Sequence, residues 1–119
     1  MASNSKISLE DLRKSADRAT QLLKAMANPD RLVILCTLAE EELCVSDIEH
    51  LLGIRQPTLS QQLARLRADD LVATRRDGKV IYYRLASGEV SSVLAVLYDL
   101  YCKPATSSSR SPKGQRKAA

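Results

Sequence analysis

The stretch 46–69 limits the possible folds of this chain most strongly, because it contains two short helical patterns separated by a glycine. Ser46 and Glu49 have the spacing of a capping box, so a short helix is expected to begin there and to end at Gly53. Pro57 suits the first turn of a second helix that runs to the end of the stretch. Its apolar positions fall on one face: Leu59, Leu63 and Leu66. Two short helices joined by a tight turn predict a helix-turn-helix.

Two longer helices are expected ahead of this motif. Helical spacing of apolar residues and a cap at Ser8 predict the first helix over about 9–26. Asn28 and the proline after it predict the start of a second helix over about 29–40. The expected inward stripe of this second helix is Leu32, Leu35, Cys36 and Ala39.

The pattern changes to β-strand after the motif. Two β-prone runs, 71–76 and 79–85, flank Asp77-Gly78, which is a strong hairpin turn signal. Ser87 then caps a last helix with a broad apolar stripe: Val90, Val93, Leu94, Leu97, Leu100 and Tyr101. The predicted fold is mainly α with a β-hairpin wing, a winged helix-turn-helix of order α-α-α-α-β-β-α. The first and last helices are more apolar than so small a body can bury, which predicts a homodimer through them.

Length and composition fit one domain. The 119 residues divide into a flexible amino terminus (1–8), a DNA-binding and dimerisation domain (9–102) and a disordered basic tail (103–119). No run approaches the roughly 18 apolar residues of a membrane span, and no secretory signal is visible, so a cytoplasmic protein without membrane partners is expected. Three cysteines in that compartment argue against a structural disulfide framework.

Positive charge is concentrated on the motif and the hairpin. Residues 55–84 carry seven bases and three acids, whereas residues 1–54 carry six bases and nine acids. A basic face on a folded body suits a polyanion, and amides, hydroxyls and guanidiniums are the groups that base edges and phosphates need. The expected contacts to double-stranded DNA are Gln56, Thr58, Ser60, Gln61, Gln62, Arg65, Arg75, Arg76 and Lys79.

Four segments in order, 22–32, 42–48, 56–66 and 77–85, resemble the ArsR/SmtB repressors. The resemblance covers roughly 15–102. It implies a homodimeric repressor that binds an operator of two-fold symmetry and releases it when it senses an inducer.

The metal sites of the family are not reproduced. Where some sensors carry Cys-Val-Cys, this chain has Cys44 followed by Val45 and Ser46, and one thiolate cannot hold a soft metal without partners. The last helix has Asp99 but no histidine, and the single histidine, His50, is expected to be an ordinary exposed residue. We therefore expect no metal and no cofactor.

Cys36 and Cys102 resemble the dithiol of the sulfide- and persulfide-sensing branch related to BigR and SqrR. That resemblance implies that reactive sulfur species bridge the two thiols as a disulfide or polysulfide and weaken DNA binding, with sulfide-detoxification genes under control. The alternative for Cys36 is a small hydrophobic core residue, and Cys102 could simply end a helix. Cys44 does not match the dithiol and is either a bystander or a third reactive thiol.

Three alternative functions stay open on the sequence. One is a metal or metalloid sensor using Cys44 with a cysteine across the dimer, a second is a general oxidant sensor, and a third is an architectural DNA-binding module without an inducer. An enzyme is not expected and no residue is assigned a catalytic role, because the chain has no Cys-x-x-Cys, no catalytic grouping around its histidine and no phosphate-binding glycine loop.

Overall fold

The computed structural model describes residues 7–103 as five helices and a small antiparallel sheet. The helices are α1 Leu9–Met26, α2 Pro29–Glu40, α3 Val45–Leu52, α4 Thr58–Ala68 and α5 Gly88–Leu97, which continues as one π-helical turn, Tyr98–Cys102. The strands are β1 Leu43–Cys44, β2 Val72–Asp77 and β3 Val80–Leu85. The order matches the predicted winged helix-turn-helix, apart from β1. Most of the predicted flexible amino terminus (1–8) and of the predicted tail (103–119) lies outside the described residues, which leave out 1–6 and 104–119.

Local signals account for most of the helix ends. The Ser8 and Asn28 side chains accept hydrogen bonds from the backbone N–H groups of Asp11 and Arg31, as expected for N-caps. The Ser87 side chain caps α5 in the same way. Gly53 ends α3 with φ +71°, the left-handed region that a glycine adopts without steric cost. The predicted bounds of α1 and α2 are confirmed.

The predicted capping box at Ser46 is wrong. α3 begins at Val45, one residue earlier, and its N-cap is Cys44, which makes no side-chain capping bond. The reason lies in β1, which the sequence did not predict: Leu43 and Cys44 pair with Tyr83 and Tyr82 of β3. This pairing fixes the backbone immediately ahead of the helix, so the strand rather than a capping side chain sets where α3 starts.

The sheet has the order β1-β3-β2, with β3 in the centre. β2 and β3 form the predicted hairpin, in which Val72 lies opposite Leu85, but its turn is one residue later than predicted. Asp77 belongs to β2 and pairs with Val80, so the two turn residues are Gly78 and Lys79 rather than Asp77 and Gly78. Gly78 at the tip has φ +66°, which the turn requires.

The core lies between α2, α4 and the sheet. The leucines predicted on the inner face of α4 are all buried, as are Val90 and Leu94 of α5. The expected stripe of α2 is partly wrong: its buried residues are Ile34, Leu35 and Leu38, whereas Cys36 and Ala39 are exposed. α2 packs against both β3 and α4, so the face that carries Ile34 and Leu38 turns inward and Cys36 turns outward.

Both ends of the described chain expose apolar side chains. Only Ala25 and Met26 of α1 are buried, and Leu9, Leu12 and Leu23 are more than half exposed. In the last helical segment Leu100 is 59% and Tyr101 is 81% exposed. The predicted stripe of this segment is therefore buried only in its first half, and the remaining apolar surface is available for another molecule.

Candidate nucleic-acid interface and dithiol site

The first turn of α4 is organised by Gln56. Its Oε1 accepts hydrogen bonds from the backbone N–H of Ser60, at 3.1 Å, and from the Ser60 hydroxyl. Thr58 and Gln61 are exposed on the same helix. The Gln56 side chain thus satisfies one backbone N–H of the first turn and holds the Ser60 hydroxyl, while Thr58 and Gln61 present a hydroxyl and an amide to solvent.

Two further predicted contacts on α4 have partners within the protein. Arg65 Nε lies 2.7 Å from Asp69 Oδ2, one helical turn on, and both side chains remain partly exposed. Gln62 is half-buried, and its Oε1 accepts a hydrogen bond of 2.8 Å from Arg31 Nη1. Sequence reasoning missed Arg31, although its place in the first turn of α2 was predictable.

The hairpin holds one of its cations in place. Arg75 Nη2 lies 2.8 Å from Glu42 Oε1, and the Arg75 guanidinium stacks over the Tyr82 ring at 4.6 Å from the centroid. The hydrogen bond from Arg75, supported by the charges of Arg75 and Arg84, lowers the pKa of Glu42 below its ordinary value. Arg76 and Lys79 lie exposed at the hairpin tip.

The charge of Cys102 acts on the Cys36 thiol in the structure. Both are free and exposed, Cys36 on the outer face of α2 and Cys102 at the end of the π-helical turn. Partial desolvation by the surrounding protein raises the pKa of Cys36, and the charge of Cys102 raises it further. The exposure of Cys36 contradicts the alternative of a core residue.

Cys44 belongs to a different environment. Its Sγ lies 3.3 Å from Ser46 Oγ and donates a hydrogen bond of 3.3 Å to Asp47 Oδ2, all at the start of α3. His50 is exposed on the same helix. Between residues 7 and 103, no three or more histidine, cysteine or carboxylate side chains gather where they could hold a metal ion. Nor does this part of the chain include a helix with the length and apolar character to cross a membrane.

Comparison with known proteins connects this geometry to a family. Residues 28–74 match the model of bacterial regulatory proteins of the arsR family, a stretch that runs from the cap of α2 into β2. A biofilm growth-associated repressor of Agrobacterium fabrum is 46% identical over 98 residues, which cover 82% of this chain and 84% of that protein. The chain belongs to the ArsR family.

Solved structures of other ArsR-like regulators share the fold. Reduced HlyU from Vibrio cholerae superposes with a TM-score of 0.76 at 44% identity, covering 80% of this chain and all of that one. The repressor BigR from Xylella fastidiosa superposes with a TM-score of 0.75 at 42% identity, over 82% of this chain and all of that one. These relatives are transcription regulators, and the ArsR-family chain described here is a DNA-binding regulator rather than an enzyme.

Membership of the ArsR family does not by itself assign roles to the predicted DNA contacts or to Cys36 and Cys102. The matched segment contains the helix-turn-helix and Cys36, but neither the hairpin tip nor Cys102. The hairpin contacts and the pairing of Cys36 with Cys102 therefore rest on their own geometry. Sequence reasoning also missed Glu42, because its partner Arg75 is reached only through the pairing of β1 and β2 with β3.

Proposed function

We propose that this ArsR-family chain is a dimeric transcriptional repressor that releases operator DNA when reactive sulfur species bridge Cys36 and Cys102. The genes under its control would then serve sulfide detoxification. One observation carries the proposal: both thiols are free and exposed, Cys36 on α2 and Cys102 at the end of the π-helical turn, so a small sulfur reagent can reach each of them. The charge of Cys102, which raises the pKa of Cys36, adds support. A cysteine that served only to fill the core would not be exposed in this way.

The bridging chemistry balances with a persulfide as the oxidant. One cysteine thiolate attacks the outer sulfur of RSSH, which releases the thiol RSH and leaves a protein persulfide. The second thiolate attacks the inner sulfur of that persulfide, which expels hydrogen sulfide and forms a disulfide. If the second thiolate instead attacks the outer sulfur of a second RSSH, a second RSH leaves and both cysteines become persulfides. One persulfide then attacks the inner sulfur of the other, which expels hydrogen sulfide and leaves a trisulfide. When the disulfide forms, the protein dithiol is oxidised by two electrons and the persulfide is reduced.

The positions of Cys36 and Cys102 suggest how a covalent bridge between them could change DNA binding. Cys36 lies on α2, which packs directly against α4, the helix proposed to read the DNA sequence. Cys102 lies at the end of the apolar segment that, together with α1, is the proposed dimer interface. A covalent link between the two elements favours one arrangement of the protomers over another, which changes the spacing of the two α4 helices.

The proposed DNA contacts fall into two groups, according to whether the side chain already has a partner in the protein. Thr58 and Gln61 on α4, with Arg76 and Lys79 on the hairpin, present free polar or charged groups at the surface. The other five predicted contacts already form hydrogen bonds or ion pairs within the chain, and each keeps further hydrogen-bonding capacity for DNA: Gln56, Ser60, Gln62, Arg65 and Arg75. We propose that the α4 residues enter the major groove and that the hairpin follows the phosphate backbone.

The first experiment measures DNA binding and thiol state together. The reduced full-length chain is used to select duplexes from a random library, and the affinity for the selected duplex is then measured after treatment with glutathione persulfide or with glutathione disulfide. Intact mass and digestion locate any new bond. We expect persulfide to create a Cys36–Cys102 link and to weaken binding at least tenfold, a difference of about 1.4 kcal/mol.

Three serine variants serve as matched controls. C36S and C102S should bind the selected duplex when reduced and should not respond to persulfide, whereas C44S should respond like the wild type. An equal response to glutathione disulfide would replace the sulfur-selective sensor with a general oxidant sensor. Release that persists in both C36S and C102S would overturn the dithiol, and failure to select any duplex would overturn sequence-specific repression.

A further inference from the structure

Arg31 makes three hydrogen bonds that join three helices. From the first turn of α2, its Nε donates to the backbone carbonyl of Ala25 at 2.6 Å, and Nη2 donates to the carbonyl of Lys24 at 3.3 Å. Its Nη1 donates to Gln62 Oε1 of α4 at 2.8 Å. A single planar guanidinium therefore connects the end of α1 to the face of α4.

The α1 side of this connection is favourable on general grounds. Lys24 and Ala25 lie in the last turn of α1, where backbone carbonyls lose their partners four residues on, although the Lys24 carbonyl also accepts a hydrogen bond from the Ala27 N–H at 3.4 Å. A cation placed there satisfies those carbonyls and interacts well with the negative end of the helix dipole. Arg31 is partly buried, and its three hydrogen bonds hold the guanidinium in place.

The α4 side fixes which end of the Gln62 amide faces outward. A guanidinium can only donate hydrogen bonds, so the atom that faces Arg31 must be the carboxamide oxygen. The NH2 group of Gln62 is then the free end, with two N–H donors. Acceptors that suit it on duplex DNA are phosphate oxygens and the acceptor atoms of base edges in the major groove.

We propose that Arg31 is a positioning residue: it sets the orientation of Gln62 from the end of α1, so that Gln62 presents its NH2 group to DNA. The inference rests on the proposed role of α4 in reading duplex DNA. It adds a physical connection between the helix proposed to form the dimer and the helix proposed to read the operator. Lysine cannot replace arginine here, because a single ammonium cannot serve the α1 carbonyls and Gln62 in the same geometry.

A double-mutant cycle tests the connection. Affinity for the selected duplex is measured by fluorescence anisotropy for the reduced wild type, R31K, Q62M and R31K/Q62M, with thermal unfolding of each. We expect R31K to weaken binding roughly tenfold, the scale of one hydrogen bond to a charged group. In the Q62M background, the same change should have little further effect on affinity, although it still removes the α1 bonds and lowers Tm.

The outcomes separate positioning from a structural role. If R31K weakens binding equally in both backgrounds, Arg31 acts through fold stability alone and the proposal is overturned. If Q62M binds like the wild type, Gln62 does not touch DNA, and the proposal is overturned while the repressor remains. Should R31K fail to fold, NMR of the labelled wild type decides: the Gln62 side-chain amide protons must shift with the selected duplex, and an unchanged position would overturn the proposal.

Discussion

Arg75 of β2 and Glu42, the residue before β1, form an ion pair across the sheet, with Arg75 Nη2 2.8 Å from Glu42 Oε1. Arg75 Nε also lies 2.9 Å from both carboxylate oxygens. The strand between their elements, β3, contributes the Tyr82 ring on which the guanidinium rests. Arg75 thus holds the hairpin against the rest of the protein, whereas Arg76 and Lys79 extend from its tip.

This arrangement predicts unequal roles for neighbouring arginines in DNA binding. R76Q should reduce the slope of log affinity against log salt, by about 0.9 for each phosphate that the protein no longer neutralises. R75Q should change that slope much less, because Arg75 is engaged by Glu42. The measurement is a salt titration of affinity for the selected duplex with wild type, R75Q and R76Q. An equal reduction of the slope in the two variants would show that Arg75 leaves Glu42 to bind phosphate.

The Cys36 thiol should become more acidic when Cys102 is replaced. Burial raises the pKa of Cys36 and the Cys102 charge raises it further, so C102S removes the second cause and leaves the first. In a C44S background, the alkylation rate of Cys36 is followed against pH with and without C102S. The midpoint should move to lower pH in C102S and stay above the ordinary value of a thiol. An unchanged midpoint would mean that the two thiols are not neighbours in solution.

The fold could be predicted from local sequence, but the connections at the site could not. Caps and turns at Ser8, Asn28, Gly53 and Gly78 act within a few residues, so they can be recognised without a structure. β1 could not be recognised in this way, because two residues carry no periodicity and the strand exists only through its pairing with β3.

The outward turn of Cys36 was missed for a related reason. The helical pattern of α2 is apolar on more than one face, and the choice among those faces is made by β3 and α4, which pack against it. The partners Arg31–Gln62 and Glu42–Arg75 are separated by more than thirty residues each. Such pairs depend on tertiary packing, so the sequence predicts which residue types suit DNA and gives no sign that several of them have partners within the protein.

A charge on the outer face of α1 should separate the protomers. Leu12 and Leu23 lie on the same side of α1, and both are about half exposed in the single chain. L23E should raise the dimer dissociation constant at least tenfold, since burying a leucine contributes about 1.5–3 kcal/mol. Q21E carries the same charge on the opposite face and should leave the dimer intact. Sedimentation equilibrium distinguishes them, and an unaffected dimer in L23E would place the interface elsewhere.

Gly53 and Gly88 offer a matched test of what the turn between α3 and α4 requires. A methyl group at either position meets no atom within 4 Å, so any cost must come from the backbone alone. Gly53 has φ +71°, where an L-residue loses roughly 1–2 kcal/mol, so G53A should lower the free energy of unfolding by about that amount. Gly88 begins α5 in ordinary helical geometry, and G88A should be neutral or stabilising by up to about 1 kcal/mol. Urea unfolding of both variants measures the difference, and equal stabilities would mean that the turn relaxes to a right-handed conformation without penalty.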